Sequence, residues 1–229
     1  MPVVDFCCLA NSHKWNGRCI AGIHLPTGRW VRLVSDGEKG ELYPRHYSLS
    51  PEGDEPRIFD RIRVELQSAV PRAHHPEDWL IAPKSWKLIS RPQTIEDYQQ
   101  LREQLSARLI LNPELLGNLE DRIPYSDFLK VPAEASLAII SPELFFWQID
   151  SRGGKRKTRA VFTLHSQRYE LGMTDPIWRE RLAHLTPGTY SLTKIGIPAN
   201  AKLWLTISLS EPFQEHCFKL VATVIVWPG

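Results

Sequence analysis

Short apolar runs separated by polar turns dominate the chain up to Arg91. The first three runs cover residues 3–9, 19–25 and 30–34, and each is long enough for one β-strand. Consecutive strands joined by short turns are typical of an antiparallel meander. We therefore predict three paired strands at the start of the chain, with residues 11–17 forming a polar loop between the first two.

Two further runs follow a loop rich in glycine, proline, serine and glutamate. In residues 57–66, the apolar Ile62, Val64 and Leu66 alternate with charged residues. This alternation predicts a half-buried strand with a charged outer face. Residues 86–90 supply a fifth strand. Five strands with loops of uneven length favour a small open barrel over a sandwich.

The next segment has the pattern of a helix. Thr94 is a favourable N-cap, and two acids follow it in the first turn, where the helix dipole favours negative charge. Apolar residues then recur at spacings of three and four until the helix ends before Asn112. We predict that residues 93–132 form a helical connector between an N-terminal barrel, residues 1–92, and a second barrel, residues 133–229.

After residue 135 the chain returns to strands. A short helix is predicted to begin at Asp175, between two of these strands. Asp175 is a good capping residue, and the proline that follows it suits the first helical position. The predicted strands cover residues 136–140, 144–149, 159–164, 169–173, 203–209 and 218–226. The fold class that follows is mainly β, with two small β-barrels in tandem joined by the α-helical connector.

Composition excludes several classes of protein. Hydrophobic residues make up 42% of the chain, so it should fold rather than stay disordered. No apolar run approaches the roughly 20 residues of a membrane span, and residues 1–5 lack the basic start of a secretory signal. We therefore expect a cytoplasmic protein with no membrane partner. The four cysteines form no C-x-x-C pair and are expected to be buried, reduced thiols: Cys7, Cys8, Cys19 and Cys217.

Charge is nearly balanced overall, at +2, but it is unevenly distributed. Residues 96–127 carry seven acids against three bases, which argues against phosphate contact by the predicted helix. A glycine pair at 153–154 signals a hairpin tip, and no acid lies among the basic residues around it. These basic residues are Arg152, Lys155, Arg156, Lys157 and Arg159. The tip is either a phosphate-binding surface or a solvated hairpin.

Polar residues of the first predicted loop are the leading candidates for ligand binding. Asn11, Ser12 and Lys14 would bind a phosphate or a base edge there. Arg18 and Arg32 lie nearby in the meander and would add positive charge. The alternative is that Asn11 and Ser12 stabilise the turn through hydrogen bonds from side chain to backbone.

The second barrel has its own polar candidates, Asp175, Glu211 and Lys219. Glu211 and Lys219 would form a polar rim at the mouth of this barrel. The alternative is that Glu211 pairs with Lys219 or caps the turn at Pro212. Asp175 would contribute to a binding site, or its position is explained by the helix cap alone.

Aromatic residues cluster in the second half of the chain. Phe145 and Trp147 share one side of their strand and are expected in the core, while Phe146 faces the other way. Phe146 is therefore the aromatic residue predicted to stack on a nucleobase. Trp204 and Tyr169 could also stack, although such residues more often fill the barrel.

Motifs for catalysis and cofactor binding are missing from the sequence. It contains no phosphate-binding P-loop, no dinucleotide fingerprint and no serine-nucleophile elbow. His74 and His75 are adjacent, so their side chains diverge from an extended strand and are poorly placed to share one metal. We predict no metal site, no cofactor, and a helix beginning at Pro76.

Five segments of distinctive sequence span nearly the whole chain. They are C-L-A-N-S-H-K-W-N-G-R-C-I-A-G-I (8–23), R-W-V-R-L-V-S (29–35), Y-E-L-G-M-T-D-P-I-W-R-E-R-L (169–182), T-I-S-L-S-E-P-F (206–213) and F-K-L-V-A (218–222). As a set they resemble the bacterial dual OB-containing domain family, which tends to have glycine where this chain has Ser210. The resemblance implies two tandem OB-like barrels and an association with nucleic acid or nucleotides, in defence or mobile-element systems. It implies no catalytic residue.

These features favour a non-catalytic module that binds single-stranded nucleic acid or a nucleotide-like ligand. Lys14, Arg18, Arg32 and the basic tip would face phosphate. A second hypothesis is an enzyme acting on a nucleic-acid-derived substrate at the barrel interface, using Asp175 and the polar residues of the first loop. A third is a subunit of a larger defence complex that binds a protein partner through its acidic helix.

Overall fold

β-strands account for most of the regular structure, as the sequence predicts. The computed structural model describes residues 1–50, 53–115, 120–151, 153 and 155–228. The chain divides into two units, Met1–Leu109 with Phe128–Ser136, and Ile110–Asp127 with Leu137–Gly229. Arg152 of the predicted basic tip and Gly154 of its hairpin signal lie outside the described residues.

The first unit contains a closed ring of five strands. Its strands are β1 (Val3–Lys14), β2 (Gly17–His24), β3 (Arg29–Val34), β4 (Arg61–Ala69), β5 (Asp78–Ile81) and β6 (Lys87–Ser90). The order β1-β2-β3-β5-β4 returns to β1 through a β1–β4 pairing, and β6 lies outside the ring on β4. Neighbours in the ring are antiparallel except β3 and β5, which are parallel. The small barrel predicted for this half of the chain is confirmed.

Alternating residues of these strands fill the barrel. Ile62, Val64 and Leu66 of β4 are each at most 2% exposed and lie in the core, which confirms the alternation seen in the sequence. At Gly22 of β2 the neighbouring strand comes so close that a Cβ atom would lie 2.0 Å from the carbonyl oxygen of Cys7. Glycine is therefore required where β1 and β2 cross, next to an irregularity in the register of β1.

Two local predictions for the first unit are wrong. Residues 11–17 are mostly strand, because β1 continues through Lys14 and only Trp15 and Asn16 form the turn. No helix starts at Pro76, where a turn leads directly into β5. The sequence pattern also fails to indicate β5, since four residues are too few to show a clear alternation.

The helices α1 (Pro44–Tyr47), α2 (Ile95–Ser106) and α3 (Tyr125–Lys130) precede most of the second sheet. Thr94 caps α2 as predicted, because its hydroxyl accepts the Asp97 N–H and the Asp97 carboxylate accepts the Thr94 N–H. α2 belongs to the first unit and the division between units falls within α3, so a separate helical connector is not confirmed. None of the helices in the described part of the chain is long and apolar enough to cross a membrane.

The second unit is built on a larger sheet. Its strands are β7 (Arg122–Pro124), β8 (Leu137–Ile140), β9 (Leu144–Asp150), β10 (Lys157–Leu164), β11 (Gln167–Met173), β12 (Gly188–Ser191), β13 (Leu203–Leu209) and β14 (His216–Val226). They follow the order β12-β9-β10-β11-β14-β13-β8, and β7 pairs separately with β14. β7 and β12 have no counterpart among the predicted strands, because each has only three or four residues.

Both sheets share one connectivity. The path β9-β10-β11-β14-β13 repeats the path β1-β2-β3-β5-β4, and in both paths the third and fourth strands are parallel to each other. The second path does not close into a ring among the described strands, because β12 pairs with the outer edge of β9 and β8 with that of β13. Of the two barrels predicted from the sequence, the first is therefore present as a closed barrel, and the second half of the chain forms an extended sheet with the same strand order.

A short helix, α4 (Pro176–Arg181), lies between β11 and β12 in the chain. Trp178 of α4 is buried, stacks on Trp147 with 4.9 Å between ring centroids, and donates its indole N–H to the Val224 carbonyl at 2.7 Å. Leu182 just beyond α4 is 1% exposed in the same core. The predicted helix start at Asp175 is confirmed.

Burial controls the chemistry of the cysteines. All four are free thiols, and Cys7, Cys8 and Cys217 are buried while Cys19 is partly exposed. Burial, reinforced by the nearby Asp60 carboxylate, raises the pKa of Cys7 to about 12. Burial likewise raises the pKa of Cys8. Reduced, buried thiols are thus confirmed for three of the four positions.

Thiol titration should separate these positions. We expect one thiol, Cys19, to react with an aromatic disulfide in the native protein, because the thiolate is the reactive form and the other three are buried. Unfolding with urea should release the remaining three. Cys19→Ser should abolish the fast phase, and a fast phase that survives this substitution would contradict the assignment.

Candidate functional site

A polar groove of about 840 Å³ lies on the outer side of the second sheet. It crosses β9, β10 and β11, the first three strands of the repeated path, and is bounded by residues just before and at the start of β7. Its lining consists of Glu120, Asp121, Arg122, Gln148, Asp150, Lys157, Arg159 and Glu170. All of these residues belong to the second unit.

Strand alternation explains why this face is polar. On β9, Phe145, Trp147 and Ile149 pack in or against the core, so the residues between them face outward. The pairing register then sets Gln148 beside Arg159, and Asp150 beside Lys157. The floor of the groove therefore consists of charged and amide side chains on the face of the sheet opposite the apolar core.

Ion pairs hold the arginines of the groove in place. Arg159 lies between two acids, with Nη2 3.2 Å from Asp121 Oδ2 and Nε 3.4 Å from Glu170 Oε1. Arg122 Nε donates to Asp121 Oδ1 at 2.9 Å, and its guanidinium lies 5.1 Å from the centroid of the Phe218 ring. The two arginines remain 32% and 47% exposed, so a ligand could still reach them.

The lining of the groove carries both negative and positive charge. Four of its lining residues are acids and three are bases. The predicted basic tip begins at one end of β10, where Lys155, Arg156 and Lys157 are exposed. Arg156 Nη2 donates to the Leu182 carbonyl at 2.6 Å, which fixes this side chain against the end of α4. Mixed charge on the floor and positive charge at the tip suit a ligand with both hydrogen-bonding edges and phosphates.

Arg32 does not have the exposure predicted for a phosphate-binding residue. It is 1% exposed, and its Nε donates to Asp78 Oδ1 at 2.6 Å. Arg72 donates to the other oxygen of the same carboxylate at 2.9 Å. The parallel pairing of β3 with β5 places Arg32 opposite Asp78. The positive charge of Arg32 therefore forms a buried ion pair within the first unit and is not exposed to a ligand.

Asn11 and Arg18 are held by the loop that precedes β4. Asn11 Nδ2 donates to the Pro56 carbonyl at 2.8 Å, and Arg18 Nε donates to Glu55 Oε1 at 2.7 Å. Burial alone would raise the pKa of Glu55, but hydrogen bonds from Arg18, Tyr47 and Asn11 lower it below its ordinary value. Burial, and then the hydrogen bond to Glu55, raises the pKa of Tyr47 to about 12. These side chains form a cross-link between strand and loop, not the turn contacts considered from the sequence.

Ser12 and Lys14 lie on β1 rather than in a loop. Ser12 is 5% exposed and is paired with Cys19 of β2. Lys14 is partly exposed at the end of β1, directly before the turn. Of the residues predicted to bind ligand in the first loop, Lys14 is the one that retains both charge and access.

The second group of predicted residues is largely engaged in the fold. Asp175 is 3% exposed, and its two oxygens accept the backbone N–H groups of Trp178 and Val224. Lys219 is 1% exposed; burial lowers its pKa to about 8, although Asp121 and Glu120 favour its charged form.

Glu211 is partly exposed in the loop between β13 and β14. The Ser210 hydroxyl accepts the Phe218 N–H at 2.8 Å and donates to the Glu211 carbonyl at 2.7 Å, so serine here closes the loop.

The aromatic residues of β9 lie on the two faces of the sheet that their alternation predicts. Trp147 is 0% exposed and Phe145 packs edge-on against it, with 4.6 Å between centroids. Tyr169 and Trp204 are also buried, so they cannot stack on a base. Phe146 faces the outer side of β9 and is partly exposed, next to Val161 of β10.

Sequence reasoning identified Lys157 and Arg159 but missed most of the groove. Gln148 and Asp150 could have been found, because they alternate with the core residues of a strand that was predicted. Residues 120–122 gave no such signal, since they lie in the segment expected to be a connector. Their place at the groove depends on β7 pairing with β14, far along the chain.

The chain was compared with known proteins. A family model described as Dual OB-containing domain matches residues 4–224 of the 229 residues. The match agrees with the resemblance seen in the five sequence segments and covers both units. No curated protein matches the chain.

Proposed function

Because the chain belongs to the dual OB-containing domain family, we propose that it is a non-catalytic module that binds single-stranded nucleic acid through the groove of its second unit. OB folds bind oligonucleotides on the face of their second and third strands and through the loops that flank it. The groove covers this face, β10 and β11, together with β9. This position is the observation that carries the proposal.

The basic residues of the tip and the acids of the groove suggest a division of roles. Lys155, Arg156 and Lys157 at the tip would contact phosphates, which position a strand without reading its sequence. The carboxylates of Asp150 and Glu170 would accept hydrogen bonds from exocyclic amino groups of bases, the usual pairing for acids. Phe146 faces the outer side of the same strand as Asp150, is partly exposed, and would offer a surface for stacking. The link to bacterial defence or mobile elements stays a prediction from the family resemblance.

Charge reversal at the tip tests the proposal. We expect the double variant Lys155→Glu/Lys157→Glu to bind a short labelled single-stranded oligonucleotide at least about tenfold more weakly than the wild type, since two phosphate contacts become repulsive. Fluorescence anisotropy with DNA and RNA of mixed sequence measures this. For the wild type, three phosphate contacts predict a slope of about −2 for log K against log salt.

Lys202→Glu is the control for charge reversal outside the groove. Lys202 is also an exposed lysine of the second unit but does not line the groove. It should bind within about twofold of the wild type, because a distant surface charge is screened at ordinary salt. A wild-type protein that binds neither DNA nor RNA at low salt would refute the proposed function.

A further inference from the structure

Trp15 combines an exposed side chain with an unfavourable backbone conformation. It occupies the turn between β1 and β2, is 53% exposed, and has a φ angle of +52°. Positive φ is unfavourable for a bulky side chain, and hairpin turns of this length normally use asparagine or glycine. A large apolar side chain in a strained, solvated position is an outlier that points to a function in binding.

The base of this hairpin is rigid. Arg18 and Leu42 exchange two backbone hydrogen bonds, at 2.7 and 2.9 Å, so residues around Leu42 run along the edge of β2. A Cβ atom at Gly17 would lie 2.4 Å from the Leu42 carbonyl oxygen, which shows how closely the two segments approach. The turn therefore presents Trp15 from a fixed support rather than from a loose loop.

A cationic side chain contacts the indole ring. Lys39 Nζ lies 3.5 Å from the ring centroid, a cation–π contact that uses one face of the ring. Lys14 precedes Trp15 in the chain and is partly exposed. An aromatic face with an ammonium group beside it matches the chemistry of a nucleotide, in which a flat base is attached to an anionic phosphate.

We propose that Trp15 is a stacking platform for a base of single-stranded nucleic acid, with Lys14 and Lys39 contacting the adjacent phosphates. The turn between the first two strands is one of the two loops that OB folds use for oligonucleotides. This site lies in the first unit and is separate from the groove residues, but its ligand rests on the proposed function. A base would stack on the face of the ring that Lys39 does not cover. Alternatively, the base would replace Lys39 on its face, and the Lys39 ammonium would then contact the phosphate.

Substitutions of Trp15 test the platform. We expect Trp15→Ala to lower affinity for a single-stranded oligonucleotide by about tenfold to a hundredfold, and Trp15→Phe to retain most of it, because any aromatic face can stack. Oligonucleotide should quench tryptophan emission of the wild type, and this quench should shrink in Trp15→Phe. Ile177→Ala, another exposed apolar residue, is the control and should bind normally.

Lys39→Met separates stacking from a purely structural contact. If the indole only anchors the loop that carries Lys39, both Lys39→Met and Trp15→Ala should change affinity equally. Stacking requires a larger loss for Trp15→Ala, and equal losses would overturn it. Normal binding by Trp15→Ala together with weak binding by the Lys155→Glu/Lys157→Glu variant would refute the platform and leave the groove intact. Absence of any binding by the wild type would refute both.

Discussion

Asp78→Asn is expected to lower the free energy of unfolding by about 3–5 kcal/mol, one of the largest effects of any single substitution in this chain. The Asp78 side chain is 0% exposed and accepts hydrogen bonds from two arginines, Arg32 at 2.6 Å and Arg72 at 2.9 Å. Asparagine keeps the volume but removes the negative charge. Arg32, 1% exposed, would then hold a buried positive charge without the carboxylate that pairs with it. Urea unfolding followed by circular dichroism measures the loss.

Asp5→Asn is a matched control for this substitution. Asp5 accepts a hydrogen bond from Arg63 Nε at 2.6 Å, the same distance as in the Arg32–Asp78 pair. The Arg63 side chain is 50% exposed, however, so water and salt screen the interaction and solvate either partner when the other is removed. We expect little change in the unfolding midpoint. Equal effects of both substitutions would mean that burial is not what makes the Asp78 pair important.

The same pair shows why Arg32 was assigned the wrong environment from the sequence. Arg32 lies in a run that reads as a strand, and the strand is present as β3. Its partner Asp78 is far along the chain, on a strand of four residues that pairs in parallel with β3. Local patterns contain no information on this register. An arginine on a strand therefore looks like a surface cation until the opposing residue is known.

Elements with strong periodicity or clear caps were predictable, and short elements were not. β4 alternates over its buried half, and α2 and α4 begin at Thr94 and Asp175, which use their side chains as caps. β5, β7 and β12 have three or four residues each and depend on pairing with distant strands. The closure of the first barrel and the wall of the groove both depend on such strands, which is why the candidate site was harder to predict than the fold.

The exposed position of Trp15 was not predictable from the sequence for a different reason. The sequence places Trp15 between two predicted strands, but within a predicted polar loop of residues 11–17. In a loop of that length Trp15 has no special position, whereas Asn11, Ser12 and Lys14 have the polar groups expected to bind a ligand. The structure extends β1 through Lys14, so the turn shortens to Trp15 and Asn16. Only then does a tryptophan occupy the tip of the hairpin.

Asp175→Ala is expected to destabilise the second unit by about 2–4 kcal/mol, because one buried carboxylate satisfies two backbone groups. Its oxygens accept the Trp178 N–H at 3.1 Å, which caps α4, and the Val224 N–H at 2.9 Å, which lies on β14. Alanine would leave both donors buried without these acceptors. It would also loosen the attachment of α4, whose Trp178 ring stacks on Trp147.

Asp175→Asn and Thr94→Ala calibrate this prediction. Asparagine retains one acceptor oxygen and is a good N-cap, so Asp175→Asn should lose less stability than Asp175→Ala. Thr94→Ala removes the exposed cap of α2, which carries no second hydrogen bond to a distant strand, and should cost about 1 kcal/mol. Thermal unfolding of the three variants gives the order. If Asp175→Ala instead unfolded like the wild type but bound oligonucleotide poorly, Asp175 would be a ligand-binding residue as first predicted, and its role as a structural cap would be wrong.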